Sequence, residues 1–261
     1  MSKVLQFRCA LVTGGGGGIG KAMAQYFISQ GKKVLLAGRT KANLEASAQE
    51  IGAAGCYVLD VGDSAAIRTF AQQITHEHPD LDCVVNNAGV QRPLTVLGDT
   101  DDFLGKADEE ININVRGPLH LTMHLLPHLQ QQQHPVVVNV SSILGFVPFA
   151  VGNPVYNGTK AWLHFWSMNL RTQLRQGGSR VRVVEIAPPT VGTDLHRDRA
   201  DPDDNKKEKN DKALTVDEFV ADVARKLESG EEMISAGMGV GMVEDWYATF
   251  GKRYRDAEAA N

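Results

Sequence analysis

A single α/β domain with a doubly wound parallel sheet is the fold class that this sequence predicts. Six short apolar runs recur along the 261 residues, longer segments of helical periodicity separate them, and no change in composition marks a second domain. The central runs are rich in valine on both alternations, which is typical of parallel strands covered on both faces. Right-handed crossovers then place helices on both sides of one sheet.

Strands and helices are expected in regular alternation. The strands are predicted at residues 9–14, 33–38, 56–61, 81–89, 135–142 and 180–188. The helices are predicted near residues 18–30, 41–52, 64–77, 108–132, 155–176 and 215–229, because Gly, Pro, Asp or Asn stands at their ends.

Composition and charge favour small-molecule partners. The formal net charge of -4 provides no broad basic surface for nucleic acid. No apolar run reaches the ~20 residues of a membrane span, and glycines interrupt the start of the chain before a signal peptide could form. Cys9, Cys56 and Cys83 are scattered in apolar runs, as expected in a reducing compartment. We expect a cytoplasmic protein without nucleic-acid, membrane or metal partners.

Residues 193–212 differ from the rest of the chain because they are dense in both charges and almost free of apolar side chains. Such a segment buries little surface against its ordering entropy, so we expect a mobile loop over residues 193–215. It follows the sixth strand, at the edge where doubly wound sheets bind ligands. A solvated insertion and a substrate lid both remain open.

Five consecutive glycines lie in TGGGGGIGK, residues 13–21. They join a strand to a helix, which argues against a linker between modules. Gly15, Gly20 and Lys21 match a phosphate-binding P-loop, but the next residue is Ala22, which has no hydroxyl for Mg²⁺. The remaining interpretation is a dinucleotide turn, in which backbone N–H groups and the helix N-terminus face a pyrophosphate.

Further motifs follow the glycine run in a fixed order. They are T-G-x-x-x-G-x-G (Thr13, Gly14, Gly18, Gly20), Asp60 at the end of the third strand, NNAG at 86–89, Asn114 heading NVRG, Ser142 in VSSILG, and Y-x-x-x-K (Tyr156, Lys160). Over roughly residues 8–195 the sequence resembles the short-chain dehydrogenases/reductases. Within this family, short segments such as NNAGVQRP and EIAPPTVGTDL are most similar to the subgroup of oxidoreductases found with D-alanine transfer operons and to their fungal relatives.

This resemblance implies one Rossmann-type domain over residues 1–261, with a cofactor half to about residue 140 and a catalytic and substrate half from about residue 141. It implies an NADPH-dependent ketoreductase or alcohol dehydrogenase. The implied catalytic residues are Asn114, Ser142, Tyr156 and Lys160. The expected cofactor-binding residues are Thr13, Gly14, Gly18, Ile19, Gly20, Arg39, Asp60, Val61, Asn87, Ala88, Gly89, Tyr156, Lys160, Pro188, Val191 and Thr193.

The chemistry expected of Tyr156 and Lys160 follows from their spacing. Four residues apart on a helix, they project from one face. A phenol has a pKa of about 10, and a cation within ~4–6 Å lowers it, so the pair forms a general acid/base. By the resemblance, Ser142 bonds the reacting oxygen and Asn114 supports a water-linked proton path to Lys160. Ser141 and Asn112 are the alternatives for these two roles.

Cofactor choice depends on the end of the second strand. There the neutral Gly38 is followed by Arg39, where an NAD site has an acidic residue, so we expect NADPH in preference to NADH. A noncatalytic dinucleotide-binding regulator of the same fold is the alternative function.

The substrate pocket is expected from residues 90–105, 143–154 and 193–215. Phe146, Val147, Phe149 and Val151 either line it, which would fit a partly apolar substrate, or cover the core. His120, His124 and His128 are spaced by four on one helix without a fourth metal ligand. The resemblance implies that this helix lies in a two-fold interface of a homodimer or homotetramer.

Overall fold

The computed structural model describes residues 3–260; Met1, Ser2 and Asn261 of the expected 1–261 domain lie outside the described residues. A seven-stranded sheet forms the centre of the molecule. Its strands are β1 (Cys9–Thr13), β2 (Lys33–Gly38), β3 (Gly55–Val58), β4 (Leu81–Asn86), β5 (Val136–Val140), β6 (Arg182–Ala187) and β7 (Met233–Ser235). All neighbouring pairs are parallel, in the order β3-β2-β1-β4-β5-β6-β7.

Helices connect the strands and continue to the end of the described chain. They are α1 (Gly18–Ser29), α2 (Lys41–Ile51), α3 (Ser64–Glu77), α4 (Thr100–Ile111), α5 (Gly117–Leu129), α6 (Pro154–Gln176), α7 (Val216–Ser229), α8 (Gly239–Trp246) and α9 (Lys252–Ala260). Within the described residues, no helix is long and apolar enough to cross a membrane.

Two hydrophobic layers cover the sheet, because successive strand residues point to opposite faces. Val85 and Val138 pack in one layer with side chains from α1, α2 and α7, such as Phe27 and Phe219. The alternate residues, including Val84, pack in the other layer with α3, α5 and α6. The predicted doubly wound parallel sheet is confirmed, and the valine-rich runs are buried on both sides as expected.

The observed elements differ from the predicted ones at several places. The helix predicted near 108–132 begins at Thr100 and is observed as α4, a π-helical segment at Asn112–Arg116, and α5, and the helices α8 and α9 are missing from the prediction. The third strand ends at Val58, so Asp60 lies in the turn beyond it. The short strand β7 is missing from the prediction, since three residues carry little periodic signal and pair only with β6.

The strand order reverses at the neighbouring strands β1 and β4, whose carboxyl ends therefore border a crevice between diverging connections. The glycine run follows β1, and the NNAG sequence begins at the end of β4. The fold thus brings these two motifs together, although about 70 residues separate them in the sequence.

Candidate active site

A cavity of about 300 Å³ opens at the carboxyl ends of the strands. We call this space the first cavity. Most of the site residues predicted from the sequence border it. They are Gly14, Gly18, Ile19, Arg39, Asp60, Val61, Asn87, Ala88, Gly89, Ser142, Tyr156, Lys160, Pro188, Val191 and Thr193. The cofactor and catalytic candidates therefore share one space.

The glycine turn is shaped by close backbone approach at two positions. Gly14 has a φ of +68°, and a Cβ built there would lie 2.7 Å from Asn87 Nδ2. A Cβ on Gly20 would lie 2.4 Å from the carbonyl oxygen of Gly14. By contrast, a Cβ on Gly17 would have no neighbour within 4 Å. The turn thus leaves an open cradle beside the N-terminus of α1, where backbone N–H groups and the helix dipole suit a pyrophosphate.

Thr13 and Gly20 lie behind the wall of this cavity and hold it together. Thr13 Oγ1 donates to the Val85 carbonyl and accepts from the backbone N–H groups of Asn87 and Ala88 at 3.0 and 3.1 Å. Asn87 Nδ2 donates in return to the Thr13 carbonyl at 2.9 Å. These bonds fix the end of β4 against the glycine turn, so Thr13 supports the cofactor candidates from behind.

Tyr156 and Lys160 lie on the first turns of α6, and both are buried. Lys160 Nζ donates to the Val140 carbonyl at 2.9 Å and lies 5.5 Å from the centre of the Tyr156 ring. Ser142 follows β5 and borders the cavity beside them. The preceding Ser141 also borders this cavity, but its hydroxyl donates to the buried Glu185 at 2.6 Å.

The pKa of Tyr156 is shifted in the direction opposite to the one expected from its spacing to Lys160. Burial raises the pKa of the Tyr156 phenol above its ordinary value, while the Ser142 hydroxyl and the positive charge of Arg199 lower it. Burial also lowers the pKa of Lys160 to about 8. The spacing of Tyr156 and Lys160 predicted a lowered pKa for the phenol, but burial, together with the negative charge of Glu110, raises it instead.

Asn114 lies in the π-helical segment between α4 and α5 and is buried. Its Oδ1 accepts from the Val90 N–H at 3.0 Å, and its Nδ2 donates to the Val90 carbonyl at 2.8 Å and to Thr159 Oγ1 at 3.2 Å. A Cβ built on Gly89 would lie 3.3 Å from Asn114 Oδ1 and 3.7 Å from Lys160 Nζ. Asn114 thus connects the chain after β4 with α6, close to Lys160.

Asn112, the alternative for Asn114, is only half-buried. It accepts a hydrogen bond from Arg116 Nη1, one turn along the helix, at 3.2 Å. Among the described residues that line the first cavity, and the second cavity introduced below, Asn112 is absent.

Glu110 is a fully buried carboxyl group that the sequence motifs do not reveal. It accepts from the backbone N–H of Arg92, while its Oε2 has no hydrogen-bond partner among the described residues. Burial raises the pKa of Glu110 to about 7, against the opposing effects of Arg92 and Lys160. The chain therefore places a titrating carboxyl near the Tyr156–Lys160 pair.

This carboxyl predicts a pH dependence of folding. The folded-state pKa of about 7 is above the ordinary value of 4.5. The stability that Glu110 contributes is therefore fully present below pH 4.5 and is lost as the pH rises towards 7, by about 3 kcal/mol. In Glu110→Gln the amide oxygen keeps the Arg92 contact without ionising. We expect the free energy of unfolding of this variant, relative to the wild type, to rise between pH 5 and pH 8 in urea titrations.

The exposed Glu45→Gln variant serves as the control for this measurement, because its carboxylate pairs with Lys41 at the surface. It should follow the wild-type curve at each pH. A difference between Glu110→Gln and the wild type that stays constant with pH would contradict the assignment.

Arg39 borders the first cavity as predicted, and it is half-exposed there. Its Nη1 lies 3.6 Å from Glu109 Oε1 on α4, and the same carboxylate bonds Arg92 at 2.7 Å. The cavity also includes Thr40 and Asn43 beside Arg39, which the motifs did not single out. Arg39 therefore presents a guanidinium at the end of β2 that can bind an anion if it leaves Glu109.

A second cavity, of about 250 Å³, adjoins the first at Ser142 and Tyr156. Of the four apolar residues at 146–151, Phe149 borders this cavity, whereas Phe146 is buried with its ring centre 4.0 Å from that of His164. Val147 and Val151 are exposed. Phe149 therefore fits the interpretation that this loop lines the substrate pocket, and Phe146 fits the interpretation that it covers the core.

The segment at 193–215 borders both cavities and contains a short 3₁₀ helix at Asp194–His196. Asn205 is buried and donates to the carbonyls of Val191 and Thr193 at 3.1 and 2.9 Å. Polar bonds to the backbone thus anchor a segment that has few apolar side chains. Its mobility stays a prediction.

The histidine stripe is not arranged as a metal site. His120 and His124 have ring centres 6.3 Å apart, and His128 bonds the Leu81 carbonyl at 2.9 Å. Among residues 3–260 there is no group of three or more His, Cys, Asp or Glu side chains that could hold a metal ion.

Four functional candidates escaped the sequence motifs: Gln91, Glu110, Glu185 and Arg199. Arg199 and Gln91 border the second cavity, and Arg199 Nη2 donates to Gln91 Oε1 at 2.8 Å. Local patterns carry no signal for such a contact because the two residues are 108 positions apart. Both residues lie in connections that follow strands, Gln91 after β4 and Arg199 after β6, at the edge of the sheet where ligands bind in this fold class.

Comparison with known proteins identifies the family of the chain. The family model described as short chain dehydrogenase matches residues 8–204. The uncharacterized oxidoreductase DltE of Bacillus subtilis (strain 168) is 34% identical over 225 residues, which cover 86% of each chain. The NADP-dependent 3-hydroxy acid dehydrogenase YdfG of Escherichia coli (strain K12) is 35% identical over 216 residues, covering 80% of this chain and 84% of YdfG.

Among solved structures, the closed form of serine dehydrogenase complexed with NADP⁺ has a TM-score of 0.75 and 29% identity. The match covers 87% of this chain and 94% of the solved one. The family match spans most of the chain, including the glycine turn and the Tyr156–Lys160 pair, and two relatives above 30% identity cover most of its length. On this evidence the chain belongs to the short-chain dehydrogenase family of oxidoreductases.

Proposed function

We propose that this protein is an NADPH-dependent oxidoreductase that interconverts a carbonyl compound and its alcohol, with Tyr156 as the general acid/base. The observation that carries the proposal is the shared first cavity, which the glycine turn, Arg39 and the Tyr156–Lys160 pair border together. A dinucleotide held along this cavity would extend from Arg39 at one end to Tyr156 at the other.

The residues present fit a dinucleotide. The open space at Gly17 and the close approaches at Gly14 and Gly20 form a phosphate cradle that side chains would fill. Asp60 and Val61 would hold the adenine end, and Asn87, Ala88 and Gly89 the adjoining ribose. Pro188, Val191 and Thr193 would hold the nicotinamide end. When bound, the nicotinamide supplies hydride to a carbonyl carbon, or accepts it from an alcohol.

The chain's own residues handle the proton. Tyr156 donates a proton to the carbonyl oxygen during reduction and accepts it during oxidation, and Ser142 orients that oxygen by a hydrogen bond. Lys160, which is close to the Tyr156 ring, stabilises the phenolate after the proton has left. Asn114 and the Val90 backbone fix the geometry behind Lys160, and a water beside Asn114 would return a proton to it.

The preference for NADPH is supported by Arg39 and by the relatives. A guanidinium at this position forms charge-assisted bonds to a 2′-phosphate, and no carboxylate follows β2 directly. The names of YdfG and of the solved serine dehydrogenase complex both include NADP. YdfG is also named for 3-hydroxy acids, whose oxidation is an alcohol-to-carbonyl conversion.

Cofactor binding gives a direct test of this preference. In Arg39→Leu we expect the Kd for NADPH to rise about 10- to 30-fold and the Kd for NADH to stay within about 2-fold, because one charge-assisted contact is worth about 1.5–2 kcal/mol. Intrinsic fluorescence or calorimetric titration measures both constants. Lys41→Leu is the matched control, since Lys41 is a neighbouring exposed cation that pairs with Glu45. A wild-type protein that binds NADH more tightly than NADPH would contradict the proposal.

We also propose that the protein is a cytoplasmic homodimer or homotetramer. The free thiols of Cys9, Cys56 and Cys83 suit a reducing compartment. Met123 on α5 and Phe165 on α6 are about half-exposed, as expected of helix faces that pack against a second copy. Sedimentation velocity measures the oligomeric state, and a monomer at micromolar concentration would contradict this part of the proposal.

A further inference from the structure

The second cavity offers a place for a substrate next to the proposed proton donor. It contains Ser142 and Tyr156 on the side that faces the first cavity, and Leu144, Phe149 and Leu195 along its apolar walls. Its volume of about 250 Å³ suits a small molecule of a few carbon atoms. A carbonyl group at Ser142 and Tyr156 would leave the rest of such a molecule in this cavity.

Arg199 supplies a fixed positive charge to the same cavity. Its Nη1 donates to Asp204 at 2.6 Å and its Nη2 donates to Gln91 Oε1 at 2.8 Å. When the Asn153 amide is oriented with its oxygen towards Arg199, this oxygen accepts a further hydrogen bond from Nη2 at 2.8 Å. A guanidinium has five N–H donors, so Arg199 retains donors for a further anion while these contacts hold its plane in place.

Asp204 borders the second cavity together with Arg199 and carries the opposite charge. One of its carboxylate oxygens accepts from Arg199 Nη1, and the other bonds His196 Nδ1. Both oxygens of Asp204 are therefore occupied, and this carboxylate holds the guanidinium in place while the remaining donors of Arg199 stay available. The charge of Arg199 lowers the pKa of the Tyr156 phenol, which indicates that its field reaches the proposed proton donor.

We propose that Arg199 binds the carboxylate of the substrate, so that the natural substrates are small oxo acids and the corresponding hydroxy acids. This inference rests on the proposed function, and it adds the substrate class and the residue that recognises it. Gln91, which is buried and bonded to Arg199, completes the carboxylate site. The carbon chain lies against Leu144, Phe149 and Leu195, and the carbonyl group lies at Ser142 and Tyr156.

The reaction balances with the cofactor already proposed. In the reduction of an oxo acid, the carbonyl carbon accepts hydride from NADPH and its oxygen accepts the proton of Tyr156. The products are the hydroxy acid and NADP⁺, and solvent returns one proton to Tyr156. The carboxylate is unchanged throughout, which is the property expected of an anchor.

A matched pair of substrates tests the inference with the full-length protein. Wild-type protein and NADPH are assayed with 3-oxobutanoate and with its methyl ester, which keeps the ketone and removes the charge. We expect kcat/KM to be at least 10-fold higher for the acid. In Arg199→Met this advantage should be lost, with kcat/KM for the acid falling about 10- to 100-fold through a higher KM, because one charged partner is removed. The value for the ester, which has no carboxylate contact to lose, should change much less than the value for the acid.

Two further variants separate recognition from folding and from general electrostatics. Arg199→Lys keeps the charge without the planar fork and should retain part of the preference for the acid. Lys209→Met removes an exposed positive charge from the same segment, where Lys209 pairs with Asp201, and should leave both substrates unaffected. The Kd for NADPH reports whether each variant is folded. Butanoate should inhibit ester reduction by the wild type and should inhibit Arg199→Met at least 10-fold less, which measures carboxylate binding apart from acid turnover.

The outcomes distinguish this inference from the proposed function. If the wild type reduces the acid and the ester equally well, or if Arg199→Met weakens both equally, the carboxylate site is refuted and the reductase function remains. If the wild type reduces neither compound nor any of a panel of neutral ketones, the proposed function fails, and the substrate class fails with it.

Discussion

Replacing Tyr156 by phenylalanine is expected to lower kcat for NADPH-dependent carbonyl reduction by about 10³-fold, because the developing alkoxide loses its general acid. The ring is buried and lies beneath Lys160 Nζ, so phenylalanine keeps the packing and the cation–π contact. The Kd for NADPH should therefore stay within about 2-fold of the wild-type value. Steady-state kinetics with a panel of ketones and a fluorescence titration measure the two quantities.

Tyr57→Phe is the matched control for this experiment. The Tyr57 hydroxyl bonds Glu77 and His78 and lies outside both cavities. Its loss should leave kcat unchanged. If Tyr156→Phe also reduced ketones at the wild-type rate, the catalytic role of Tyr156 would be excluded. If the wild type bound NADPH but reduced no carbonyl compound, the noncatalytic dinucleotide-binding regulator would become the better interpretation.

Replacing Glu185 by leucine is expected to lower the free energy of unfolding by about 3–5 kcal/mol, because each buried polar group left without its hydrogen-bond partner costs about 1–3 kcal/mol. Glu185 on β6 and His164 on α6 are both fully buried, with Nδ1 and Oε2 3.0 Å apart. Glu185 also accepts from Ser141 Oγ at 2.6 Å. The substitution leaves two buried polar groups without this partner, directly beside Ser142. Urea titration monitored by circular dichroism measures the change.

Two variants test whether the loss comes from the polar contacts. Glu185→Gln retains a side-chain oxygen for Ser141 and should cost less than half as much. In the double variant His164→Leu/Glu185→Leu, the imidazole is removed together with its partner, so part of the lost stability should return. A cost below about 1 kcal/mol for Glu185→Leu alone would contradict the importance of the contact.

Local sequence signals were enough for much of this protein because they depend on a few neighbouring residues. Valine on both alternations predicts parallel strands covered on both faces, and the structure confirms them. At Gly14 a side chain would collide with Asn87, and at Gly20 it would collide with the backbone of Gly14. Glycine is therefore needed at both positions, and their spacing can be read from the sequence. Two residues four apart on a helix share a face, which is why Tyr156 and Lys160 could be paired from their positions alone.

The tertiary structure decided what depends on distant contacts and burial. Spacing suggested that a neighbouring cation lowers the pKa of Tyr156, yet burial by the surrounding chain raises it. The titration of Glu110 arises in the same way, because no local pattern reports desolvation. The predicted continuous helix at 108–132 contains a π-helical segment, where Asn114 bonds Val90 and Thr159 from distant parts of the chain.

Substrate recognition shows the same division. By itself, the sequence determined the fold class, the dinucleotide turn and the order of the family motifs, because each of these depends on the spacing of residues that are close together in the sequence. Only the fold brought Arg199 to Gln91, across 108 positions, and placed both beside Tyr156. The physical reason is that periodicity and backbone requirements act over one or two turns, whereas a cavity is formed by side chains from separate elements that meet only when the sheet and its connections are packed.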